Sequence, residues 1–158
     1  MTTVSGTGLK LSPNASAAVS TAADTLQIDP RIANTKHIET NILDGNIVHV
    51  VLKDSVIEGE ELCNAIGVDL FQLFEEVKNS GYKGVKFVVD YQRVTENSSV
   101  LIGKLITLDK KLKEDKVSNK LTLCGLTPAL AEIFYITKLN NLFDIKNNID
   151  AVLASRGK

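Results

Sequence analysis

Between Ile47 and Leu52 the chain reads Ile-Val-His-Val-Val-Leu, an apolar run with one polar interruption at His49. A strand of this kind has no solvent-facing side, so it belongs inside a sheet that is covered on both faces. Just before it, Asp44-Gly45-Asn46 supplies positive φ, which predicts a hairpin of 38–43 with 47–52. Further on, the period changes to that of a helix. Leu62, Ile66, Leu70, Leu73 and Val77 form one face of a helix over 58–80. Glu58, Glu60 and Glu61 stand at its dipole-favoured start, and Gly81 follows its end. Residues 85–90 and 120–124 read as strands, and 100–112 as a second helix with Leu101, Leu105, Leu108 and Leu112 inward. Thr127-Pro128 is a cap followed by a first-turn proline, opening a third helix to about Thr137. A short strand over 142–145 and a small helix over 149–154 complete the chain. The order β-β-α-β-α-β-α-β-α predicts an α/β fold: a mixed sheet of four to five strands with parallel crossovers, three main helices and a short C-terminal helix.

Residues 1–36 differ in kind. They are mostly Ser, Thr, Ala, Asn, Gly and Pro, without an aromatic residue, and bury too little apolar surface to offset their ordering entropy. The expected organisation is a flexible arm over 1–36 and a globular domain over 37–158. A short docked segment at Leu26-Gln27-Ile28, beside Asp29-Pro30, is the alternative for the end of the arm. With 18 basic and 19 acidic side chains the net charge is −1, which argues against direct nucleic-acid binding. No stretch approaches the ~18 apolar residues of a membrane span, so no membrane insertion is expected. The start, Met1-Thr2-Thr3-Val4-Ser5, has neither a basic n-region nor an apolar h-region, and a cytoplasmic location follows as the expectation. Cys63 and Cys124 make neither a disulfide framework nor a metal cluster.

Signatures of enzyme chemistry are missing. Gly103-Lys104 lacks the earlier glycine of a phosphate loop, and Leu105 replaces its Ser or Thr. Gly6-Thr7-Gly8 lacks a third glycine. His49 reads as a packed or edge-facing ring, and both cysteines as small buried side chains. No catalytic, cofactor-binding or metal-ligating residue is expected.

The segment from Val89 to Leu105 is different. A strand ends at Asp90, a polar turn follows, and Ser98 and Ser99 stand where the next helix begins. One role for such a serine is the helix N-cap, worth about 1 kcal/mol. Another is a switch, since phosphorylation adds about −1.5 to −2 charges at a helix end whose dipole tolerates them. The new charge would then act on whatever docks there, with Glu96 close by in the turn.

At these residues the chain resembles the STAS family, whose members include bacterial anti-sigma factor antagonists. That family carries an Asp-Ser-Ser-Gly-Leu-Gly-like run at the start of its second helix, with the first serine phosphorylated. Val94 matches the loop's aliphatic position and Gly103 the last glycine, which puts Ser99 on the phosphorylated serine and Ser98 on the preceding Asp. Val100 and Leu101 fall where Ser and Gly are more usual. Shifting the register puts Asn97 on the Asp and Ser98 on the phosphoacceptor, but misplaces Gly103; Ser99 is therefore the first choice and Ser98 the second. Residues 120–145 look like the family's strand, helix, "Leu-Phe" and final strand, so the resemblance covers roughly 38–155. It implies a non-enzymatic antagonist that binds an anti-sigma factor, a histidine-kinase-like ATPase acting as serine kinase, with a serine phosphatase reversing the mark. Glu96, Asn97, Ser98 and Ser99 are the expected partner contacts, with Asp54 and Ser55 beside them. Self-association as a homodimer is left open. The alternatives are a scaffold that assembles with its own copies and a regulatory domain of a transporter complex.

Overall fold

The computed structural model describes residues 26–155 except Lys83 and Asn119. The hairpin forms as its turn demands: Asp44 and Gly45 have φ of 51° and 86°, and β1 (Ile38–Leu43) pairs antiparallel with β2 (Ile47–Leu52). Next comes β3, the two residues Val56–Ile57, and then α2 (Glu60–Asn79), preceded by a short α1 (Pro30–Ala33) ahead of the hairpin. The chain continues as β4 (Lys86–Asp90), β5 (Glu96–Asn97), α3 (Ser99–Glu114), β6 (Thr122–Cys124), α4 (Pro128–Ile136), β7 (Asp144–Lys146) and α5 (Ile149–Ser155). The main sheet has the order β1-β2-β4-β6-β7, parallel everywhere except the hairpin, while β3 and β5 make a separate parallel pair.

The pleat divides the sheet into two faces. Val48, Val50, Leu52, Phe87, Val89 and Leu123 point to the larger core, where they meet the inward faces of α2, α3 and α4. On the opposite face Ile47, Val88 and Cys124 pack against Val152 of α5. Every residue of β2 is buried, as its apolar run requires. Asp109 is a buried acid on α3 that fixes the approach to β6. Its Oδ1 accepts from the Leu121 amide at 2.8 Å, and its Oδ2 meets Lys113 Nζ at 2.8 Å. No helix among the described residues is long and apolar enough to cross a membrane.

At the end of the arm expected over 1–36, the structure shows the docked segment given as the alternative. Residues 26–36 are docked on the domain rather than free, and residues 1–25 lie outside the described residues. Leu26 is buried, and its amide donates to Gly45 O at 2.9 Å. Asp29 caps α1 by accepting from the Arg31 amide, while its own amide donates to Glu76 Oε2 on α2 at 3.1 Å. Thr35 Oγ1 donates to Asp69 at 2.6 Å. Leu26, Ile28 and Ile32 are few but all reach the core edge, a placement that average composition conceals.

Candidate functional site

The polar turn between β4 and α3 is held from both ends. Asp90 is buried; its Oδ1 accepts from the Gln92 amide at 2.9 Å, and its Oδ2 lies 2.8 Å from His49 Nε2 and 3.2 Å from Gln92 Nε2. His49 is thus a buried interior ring with a carboxylate partner, not an edge group, which is how a polar atom inside a sheet avoids its desolvation cost. Tyr91 donates its amide to Cys124 O at 2.8 Å, linking the turn to β6. Its ring is fully buried edge-to-face against Phe134, with centroids 6.4 Å apart. Burial, and then the neighbouring Cys63, push the Tyr91 phenol well above its ordinary range. Burial, and then the Asp90 carboxylate, do the same to the Cys124 thiol.

Gly125 makes this closure sterically feasible. Its φ is 74°, and a Cβ there would sit 2.5 Å from Asp90 Oδ1 and 2.9 Å from the Gln92 amide nitrogen. The chain then turns tightly, the Val94 amide donating to Tyr91 O at 2.8 Å with the Val94 side chain buried beneath the loop.

From there the loop runs along 54–57. Ser55 O accepts from the Thr95 amide at 2.7 Å, from the Glu96 amide at 3.3 Å and from Thr95 Oγ1 at 3.1 Å. The β3–β5 pairing extends that contact through Val56 with Glu96 and Ile57 with Asn97. Ser55 therefore stands directly against the loop. Asp54 adjoins it in sequence, but its carboxylate is engaged with His37 Nδ1 at 2.9 Å. Glu96 is exposed and Asn97 half-buried.

The two serines have different positions. Ser98 is the N-cap of α3, extended at φ −95°, ψ 160°, and its Oγ accepts from the Val100 amide at 3.1 Å. The same oxygen lies 3.2 Å from Cys63 Sγ on α2. Ser99 is the first residue of the helix and is exposed, and no acidic side chain occupies that first turn. One turn on, Gly103 is exposed, and a Cβ there would meet nothing within 4 Å. Lys104 instead lays its stem over Gly67 of α2, whose absent Cβ would come 3.0 Å from Lys104 Cδ. Both cysteines are buried, as expected, though each also has a polar neighbour.

Sequence reading missed three participants: Cys63 behind Ser98, the His49–Asp90 pair, and Gly125. A polar residue alone in an apolar strand was a signal that a partner exists; which partner depends on strand order. Among the described residues no group of three His, Cys, Asp or Glu side chains is placed to hold a metal.

A hairpin feeding a parallel sheet, with the helix after the second parallel strand opening on an exposed serine, is the STAS fold. Among solved structures it is similar to that of the anti-sigma factor antagonist SpoIIAA in its unphosphorylated form. The two share 12% identity with a TM-score of 0.53, over 77% of this chain and 99% of that one. No protein-family model matches the sequence, and no curated protein matches it.

Proposed function

We propose that this chain is an anti-sigma factor antagonist in a bacterial partner-switching pathway. In its unphosphorylated form it binds an anti-sigma factor, a histidine-kinase-like ATPase with serine kinase activity, and so releases a sigma factor. The kinase transfers the γ-phosphoryl group of ATP to Ser99 Oγ with ADP leaving and the hydroxyl proton passing to a base on the kinase. A serine phosphatase hydrolyses the ester and restores binding. The domain performs no catalysis, works in the cytoplasm, and needs no cofactor.

One observation carries this reading: Ser98 takes the capping role, so Ser99 is left exposed on a first turn that has no acid of its own. A phosphate on Ser99 would complement the helix dipole, and its effect would fall on the partner rather than on the fold. Glu96, Asn97 and Ser98 would supply contacts from the loop, and Ser55, with Asp54 next to it, from the adjoining segment. Such a switch needs a difference in binding between states, which a dianion at a docking surface supplies.

The test is incubation with the kinase and ATP followed by peptide mapping. Phosphate on Ser99 that disappears in Ser99→Ala is the expected result; phosphate on Ser98 instead, or none alongside tight constitutive binding, contradicts it. A scaffold that assembles with its own copies is favoured by one feature, the exposed apolar end of α4 at Ile133, Tyr135 and Ile136. Concentration-dependent oligomers in light scattering, with no binding to the kinase, would select that reading.

A further inference from the structure

At the end of the sheet opposite Ser99, the starts of β4, β6 and β7 and the α3–β6 connection enclose an open cavity of about 640 Å³. Lys86, Lys113, Lys116 and Lys120 line it. Lys113 is paired with Asp109 at 2.8 Å, whereas Lys86, Lys116 and Lys120 have no acidic partner among the described residues. Among the described residues one carboxylate, that of Asp144, shares the lining, and it lies 3.8 Å from Lys146. A protein of net charge −1 thus gathers positive charge in one concavity.

A further observation points to a ligand. Thr122, whose register with Asp144 places it on the same face, is fully buried, and its Oγ1 has no hydrogen-bond partner. A buried hydroxyl in a cavity wall without a partner is a donor that a ligand oxygen would satisfy.

We propose that this cavity binds a small oligophosphate, a compact anion of two or more phosphate groups held by Lys86, Lys113, Lys116, Lys120 and the Thr122 hydroxyl. Ammonium groups on flexible stems act as point charges that can gather around tetrahedral phosphates. Three unmatched charges call for a multivalent ligand rather than a single monoanion.

The test is calorimetric titration of the full chain with tripolyphosphate. Saturable binding is expected, about tenfold weaker in Lys86→Gln/Lys120→Gln and unchanged in the control pair Lys110→Gln/Lys111→Gln on the same helix-rich surface. Thr122→Val is expected to weaken binding while leaving the melting temperature of the free protein unchanged or raised. Absence of saturable binding overturns the proposal. So does an equal loss in the control pair, or a Thr122→Val protein that melts lower but binds as well as the wild type.

Discussion

Ser98 and Ser99 differ in what their hydroxyls hold. Ser98 Oγ caps α3 through the Val100 amide, so Ser98→Ala is expected to lose about 1 kcal/mol in urea unfolding. Ser99 Oγ caps nothing, and Ser99→Ala is expected to stay within about 0.5 kcal/mol of wild type. Equal losses at both positions would mean that the capping assignment is wrong. Gly125 is the least replaceable residue around the loop. Its alanine variant meets both the left-handed backbone and the Asp90 carboxylate, and is expected to lose about 3 kcal/mol by the same measurement. A Gly125→Ala protein of wild-type stability would mean that Asp90 and Gln92 can retreat without cost.

At the scale of elements, what was legible depended on the range of the interaction. The apolar period of α2, the Leu spacing of α3 and the Thr127-Pro128 start of α4 are local signals, and each helix begins within two residues of its expected position. The two-residue strands β3 and β5 carry no period, and each exists only because the other lies beside it some forty residues away. The same reason hid Cys63 behind Ser98 and Asp90 beside His49, both contacts between separate elements. The candidate serines were visible in the sequence as a pair, but which of them caps the helix was decided by backbone geometry. Composition left the end of the arm open between free and docked, because three apolar residues in a polar stretch look dispensable until their burial is seen. Leu26→Ala is expected to cost about 2–3 kcal/mol in thermal or urea unfolding, whereas a truly free arm would show no change.

For the molecule as a whole, two buried acids make stability depend on alkali. The Tyr91 phenol and the Cys124 thiol are both held above their ordinary ranges, so each stays protonated in the native state where the unfolded chain ionises. The unfolded state then binds fewer protons, and stability falls as pH rises through the ordinary thiol range near about 9. The urea midpoint is expected to drop between neutral pH and about 9.5; a constant midpoint would contradict the assignment. The architecture also separates two surfaces, with the serine turn at one end of the parallel strands and the lysine-lined cavity at the other. The central claim concerns the first of these. Its most direct measurement is the affinity of the anti-sigma kinase for the wild-type chain and for the chain phosphorylated on Ser99, by calorimetry at one salt concentration. A loss of about 2–3 kcal/mol, a factor of roughly 30–150, is the predicted result, with the phosphorylated domain still melting as a folded protein. Equal affinity for the two forms would contradict it.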